Sequence, residues 1–218
     1  MQNPIDISLK RATLLGASGL VGKEVLMNLL EAPDIEMVTV LVRKSLSIEH
    51  PKLDQRLVDF SSLDESAVPS ADLLFCCIGS TLKKTPDKSE YHSVDFGITR
   101  KVSTIAKNKG YTQLHLISSI GAKATSKNFY LNLKGTIEKA VIDLSFDTTV
   151  IYRPSILLGK RQEKRPMEKL GRILAPLFDA FTFGGPYHSV HAKLLASKML
   201  ERTKRPTQGV SFAYYPDF

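Results

Sequence analysis

Tyr130 and Lys134 are the pair in this 218-residue chain whose types and spacing point most directly to chemistry. Four residues apart at the start of an apolar-periodic stretch, they share one face of a helix. A lysine ammonium beside a phenol favours the tyrosinate, so the hydroxyl can give or take a proton near neutral pH. Of the seven tyrosines, only Tyr130 has Lys four residues on. Ser118 and Ser119 close the strand before that helix, where a hydroxyl can hold a substrate carbonyl oxygen. Consecutive strand residues face opposite ways, so one of the two is expected to do so.

A second constellation lies near the N-terminus, where Leu14-Leu15-Gly16-Ala17-Ser18-Gly19-Leu20-Val21-Gly22 runs from an apolar strand into a helix. Gly16, Gly19 and Gly22 are spaced three apart, not in the G-x-G-x-x-G pattern. The physics is shared: glycine permits a tight turn and close approach of the backbone to a pyrophosphate, whose charge then faces the positive end of the helix dipole. The strand-turn-helix context is what makes the motif informative. Cofactor choice is read at the end of the next strand, where an acid would hold a ribose 2′-hydroxyl and a basic residue would accommodate a 2′-phosphate. Glu36 stands at the wrong end of that strand. Arg43 and Lys44 stand at the right one, so NADP(H) is preferred over NAD. Asp59, after the third strand, is either an adenine contact or a turn residue.

The elements that must position these groups alternate along the chain. Strands are expected at 11–15, 37–43, 55–60, 72–78, 114–117 and 149–152, with a further edge strand at 210–214. Helices are expected from Leu20 to Pro33, over 90–109, 130–144 and 189–202, and, interrupted by Pro176, over 168–181. The run Met37 to Arg43 shows little alternation, as suits a strand buried on both faces of a parallel sheet. Alternation throughout selects an α/β fold, a doubly wound parallel sheet of the Rossmann kind. One domain spans residues 1–218, with 154–190 as a small substrate lobe.

Composition narrows the function classes. The net charge is +8 and is concentrated late: residues 151–218 carry 12 Lys/Arg against 5 Asp/Glu. Such an excess suits an anionic cofactor or substrate as well as a nucleic acid. Without interleaved aromatics or a helix-turn-helix or zinc signature, nucleic-acid binding is disfavoured. No run reaches the roughly 18 apolar residues of a membrane span, and Met1 to Lys10 lacks the pattern of a secretory signal. Cys76 and Cys77, adjacent in an apolar run, suit a reduced, cytoplasmic protein. His188 and His191 lack acidic or cysteine partners at ligand spacing, so no metal site is expected.

The chain resembles the atypical short-chain dehydrogenase/reductases, and within them the Tat-interacting-protein-like branch with its NmrA-like neighbours. The resemblance covers nearly the whole chain. It rests on Gly-Ala-Ser-Gly-Leu-Val-Gly (16–22), Cys-Cys-Ile-Gly (76–79), the Ser118-Ser119 strand end, Asn-Phe-Tyr-Leu-Asn-Leu-Lys-Gly (128–135), Arg153-Pro154 and Arg-Gln-Glu-Lys-Arg-Pro (161–166). It implies that Ser18, Gly19, Leu20 and Val21 wrap the pyrophosphate, that Arg43 and Lys44 meet the 2′-phosphate, and that Ile78 and Gly79 lie along the adenosine. It further implies Tyr130 as proton donor, Lys134 on the nicotinamide ribose, Leu157 lining the nicotinamide pocket and Arg165 as another cofactor contact. Two features depart from the family pattern: the serine-to-tyrosine spacing is slightly short, and no helix Asn completes the usual catalytic tetrad. The expected activity is NADP(H)-dependent reduction of a carbonyl or quinone-like small molecule. The alternative is an NADP(H)-binding redox sensor or scaffold acting through a protein partner.

Overall fold

A computed structural model describes residues 8–79, 87, 91–159, 185 and 188–217. Strand β1 (Lys10–Leu15) leads through the glycine turn into α1 (Leu20–Glu31), then β2 (Ile35–Val42), β3 (Leu53–Leu57) and β4 (Leu73–Cys76). A π-helical turn at Ser93–Gly97 runs into α2 (Ile98–Asn108), followed by β5 (Gln113–Ile117), α3 (Phe129–Ile142) and β6 (Thr148–Tyr152). A 3-10 turn at Glu65–Ala67 between β3 and β4, the two-residue strands β7 (Leu157–Leu158) and β8 (Val190–His191), α4 (Ala192–Lys204) and β9 (Gly209–Ala213) complete the described elements.

Seven strands form one sheet in the order β3-β2-β1-β4-β5-β6-β9, and every pairing in it is parallel. The central strands are apolar on both faces because helices cover both. Alternate residues supply two cores. Ala12, Leu14, Val38, Val40, Leu73 and Phe75 pack with Val25, Leu29, Leu195 and Met199 under α1 and α4. Leu15, Leu41, Leu74, Leu114 and Leu116 pack with Val102, Ile105, Leu133 and Ile137 under α2 and α3. The chain steps outward from β1 to β3 and returns to β4, so strand order reverses between β1 and β4. In open α/β sheets the crevice beyond that reversal is where ligands bind.

The doubly wound parallel sheet expected from the sequence is the observed fold. Differences lie at element ends and in short elements. The third strand runs over Leu53–Leu57 instead of 55–60, because Asp59 closes a turn by accepting from the backbone N–H and hydroxyl of Ser61. The expected helix over 90–109 has a π turn in its first part. The helix expected from Ser189 begins at Ala192, since Val190 and His191 pair with Leu157 and Leu158. The interrupted helix over 168–181 and most of the substrate lobe fall outside the described residues.

Candidate cofactor and catalytic site

The glycine turn is built by contacts that leave no room for side chains. Gly16 has φ +82°, and a Cβ there would lie 2.5 Å from the Cys77 carbonyl oxygen; a Cβ on Gly22 would lie 2.1 Å from the Gly16 oxygen. Both approaches exclude any residue but glycine. The Gly19 N–H donates to the Gly16 oxygen at 2.8 Å, and the Cys77 N–H to the Leu15 oxygen at 2.9 Å, which locks the turn onto the end of β4. No side chain caps α1, and no acid stands in its first turn. Its first N–H groups therefore face the crevice with no anionic competitor, which fits a pyrophosphate. Ser18 is exposed at the rim, Gly19 and Leu20 are half-buried, and Val21 is buried beneath.

The second pole is one face of α3. Asn128 caps this helix, its side chain accepting from the Leu131 N–H at 3.1 Å. Tyr130, Lys134 and Glu138 then recur every fourth residue. Tyr130 is 39% exposed, whereas Lys134 and Glu138 are each only 4% exposed. Lys134 Nζ lies 3.6 Å from an oxygen of Asp95, itself 1% exposed and carried by the π turn before α2. Glu138 receives Arg153 from the end of β6 in a two-pronged contact, Nε to Oε1 at 2.9 Å and Nη2 to Oε2 at 2.6 Å. It also accepts from the Ser118 hydroxyl at 2.5 Å. Arg153 in turn donates to the Tyr214 hydroxyl at 2.6 Å and lies over the Phe212 ring, 4.4 Å from its centre. Carboxylates below and beside Lys134 thus fix the helix face that presents Tyr130.

The two serines have different surroundings. Ser118 is buried and committed to Glu138, whereas Ser119 is half-buried, its hydroxyl donating among the described residues to the neighbouring Ile120 carbonyl at 3.3 Å. Arg43 and Lys44 are exposed directly after β2. Glu36, at the opposite end of that strand, is engaged by Arg11 at 2.9 Å. Asp59 accepts from Ser61 and Ser62, contacts that hold its carboxyl below the usual range. Ile78 is half-buried and Gly79 exposed beyond β4, and Leu157 is half-buried in β7. The Arg165 contact lies outside the described residues. Burial pushes the Cys76 thiol up to about 12 and raises that of Cys77, so neither is poised as a nucleophile.

Asp95, Glu138 and Gly135 were not singled out by residue type and spacing. Glu138 continues the four-residue series begun by Tyr130 and Lys134, a signal present in the sequence. Asp95 carries no such signal, because the π turn shifts the helical phase around it. Gly135 is explained only by packing: a Cβ there would lie 2.2 Å from the Ala124 backbone nitrogen.

A glycine turn against a bare helix N-terminus, at the reversal point of a parallel sheet, defines a dinucleotide-binding Rossmann protein. A family model described as NAD(P)H-binding matches residues 16–168. The chain is 34% identical over 206 residues to protein HTATIP2 of Rattus norvegicus, covering 92% of this chain and 84% of that protein. It is 31% identical over 177 residues to the mitochondrial protein FMP52 of Candida albicans, covering 78% and 76%. The chain therefore belongs to the NAD(P)H-binding, atypical short-chain dehydrogenase/reductase family with its NmrA-like neighbours. Among solved structures, a UDP-N-acetylglucosamine 4-epimerase from Methanobrevibacter ruminantium superposes with TM-score 0.71 at 16% identity, covering 95% of this chain and 77% of that one. The Bordetella bronchiseptica enzyme WbmH, in complex with NAD+, gives 0.69 at 16% identity, covering 95% and 76%. At that identity these two share the fold. Among the described residues no helix is long and apolar enough to cross a membrane.

Proposed function

We propose that the protein is an NADP(H)-dependent reductase acting on a carbonyl or quinone-like small molecule. The observation that carries this reading is Lys134, buried with its charge compensated, one turn below the exposed Tyr130 at the carboxyl ends of the strands. A surface Tyr–Lys pair would need neither the burial nor the counter-charge. A bound nicotinamide would supply hydride to the carbonyl carbon. The phenol of Tyr130 gives its proton to the alkoxide oxygen that results, and the Ser119 hydroxyl donates to the same oxygen as charge develops on it. Lys134 would hold the nicotinamide ribose beside Tyr130, and the basic pair Arg43 and Lys44 favours the 2′-phosphate of NADP over the free hydroxyl of NAD.

The test is purified protein with NADPH and a panel of aldehydes, ketones and quinones, beside Tyr130→Phe. Reduction of at least one class, lost by about a hundredfold or more in the variant, is expected. A variant as active as wild type, or tight NADPH binding with no substrate reduced, refutes the reductase. Arg43→Ala/Lys44→Ala should weaken NADPH while leaving NADH nearly unchanged; equal weakening of both would remove the NADP preference.

A second reading is favoured by the exposure of Tyr130: an NADP(H)-binding sensor that changes a protein partner's affinity with redox state. In that case NADPH and NADP+ alter the stability or partner binding of the chain without turnover. The two free cysteines suit a reducing compartment, and we place the protein in the cytoplasm; fractionation of cells is the check, since the name of the fungal relative is mitochondrial.

A further inference from the structure

The π-helical turn Ser93–Gly97 interrupts an otherwise regular helix entrance, and such turns recur at functional sites. Its one buried residue is Asp95. The turn meets α3 through Asp95, 3.6 Å from Lys134, and the Tyr91 ring just before it meets the Phe129 ring edge-on at 5.7 Å. The side chain of Lys134 is 5% exposed and that of Asp95 is 0%. An ammonium so enclosed is expensive to keep without a partner. Four carbons of flexible stem would otherwise let the group swing between the phenol, the thiol of Cys76 and solvent.

Resting on the reductase reading, we infer that Asp95 is a positioning residue: its carboxylate fixes the Lys134 ammonium at the point from which it serves both cofactor and Tyr130. Asp95 is buried behind Lys134, on the side away from solvent. The part of its effect that passes through Lys134 is what a double-mutant cycle separates from a general role in folding.

The experiment is a double-mutant cycle on the full chain with Asp95→Asn, Lys134→Met and both together, plus Asp95→Glu. NADPH affinity is read by fluorescence titration, and kcat and KM are read on whichever carbonyl the panel identifies. Asp95→Asn should raise the NADPH Kd about tenfold and lower kcat about a hundredfold with carbonyl KM nearly unchanged. Lys134→Met should do the same, and the double variant should be no worse than Lys134→Met alone. Asp95→Glu, which keeps the charge, should regain part of the lost kcat. Losses that multiply in the double variant, or an Asp95→Asn protein within twofold of wild type, overturn the proposal. Should Asp95→Asn fail to fold, the cycle is run with Asp95→Glu, whose defect must vanish in the Lys134→Met background. Wild type that binds NADPH but reduces nothing removes the reductase alone, and the binding cycle still decides for or against Asp95. Wild type that binds no NADPH overturns both.

Discussion

Ser118 and Ser119 are adjacent, yet their surroundings differ. The Ser118 hydroxyl joins Arg153 on Glu138, inside a cluster that ties α3 to the ends of β5 and β6. Removing Arg153 would leave a buried carboxylate with one hydroxyl for company. Arg153→Met is accordingly expected to cost about 3–5 kcal/mol of unfolding free energy, read as a shift in the urea midpoint. Ser118→Ala should cost about 1–2 kcal/mol and leave substrate turnover close to wild type, whereas Ser119→Ala should lower kcat with little change in stability. The opposite pattern would exchange their roles. Residue type and position alone left the two serines equivalent; only the partner on α3 separates them, and that partner lies 20 residues away in sequence.

At the scale of elements, the strands were the most legible part. Parallel strands covered on both sides read as short apolar runs, and β1, β2, β4 and β6 fall within a few residues of where those runs lie. The Tyr130 helix was legible too, since its apolar positions recur at helical spacing. What the sequence withheld was contact between elements. Gly135 follows Lys134 in a helix interior, where Ala would ordinarily gain up to about 1 kcal/mol. The loop after β5 lies against it, however: a Cβ would stand 2.2 Å from the Ala124 nitrogen and 2.3 Å from the Lys123 carbonyl carbon. The Lys123 N–H also donates to the Leu131 oxygen at 3.0 Å, and the Asn132 side chain donates to the Ala124 oxygen at 2.5 Å. Backbone atoms cannot rotate aside as a side-chain tip can. Gly135→Ala is thus expected to destabilise by about 1–3 kcal/mol and to weaken the site, because moving the loop moves the Tyr130 end of α3. Thermal unfolding beside an NADPH titration checks both halves; a more stable Gly135→Ala protein would show that the loop yields.

For the molecule as a whole, the centre of the sheet carries a buried polar row. His115 on β5 lies between Phe75, stacked at 4.9 Å, and Tyr152, whose hydroxyl is 3.0 Å from Nδ1. Its Nε2 is 3.3 Å from the Gln113 side-chain oxygen, and the Gln113 amide nitrogen donates onward to the Thr203 carbonyl at 3.4 Å. That arrangement suits a neutral ring with the proton on Nε2 and the phenol donating to Nδ1. Burial, reinforced by the positive charges of Arg202 and Lys10, lowers His115 to about 3 from its ordinary 6.5. Between those values the unfolded chain binds a proton that the folded chain refuses, so stability rises with pH across the window. The contribution is complete above about pH 6.5 and is lost progressively as pH falls towards about 3, at up to about 1.4 kcal/mol per pH unit. Asp59, Asp64, Glu36 and Glu201 are also held below their ordinary values, but they lie at the surface, where water and salt weaken such contacts, and they titrate below the upper part of this range. Unfolding free energy measured from pH 7 to pH 4.5 should therefore decline from its beginning. His115→Gln, which keeps polar atoms in the row without a group that titrates, should flatten that decline whatever it does to stability at pH 7. An unchanged slope in the variant would mean that acid acts elsewhere. The same row lies on the α1 and α4 side of the sheet, where Gln113 reaches the Thr203 carbonyl of α4, so protonating His115 acts on the fold and not directly on the Tyr130 face. Loss of NADPH binding on acidification should accordingly track unfolding in wild type and shift to lower pH in His115→Gln.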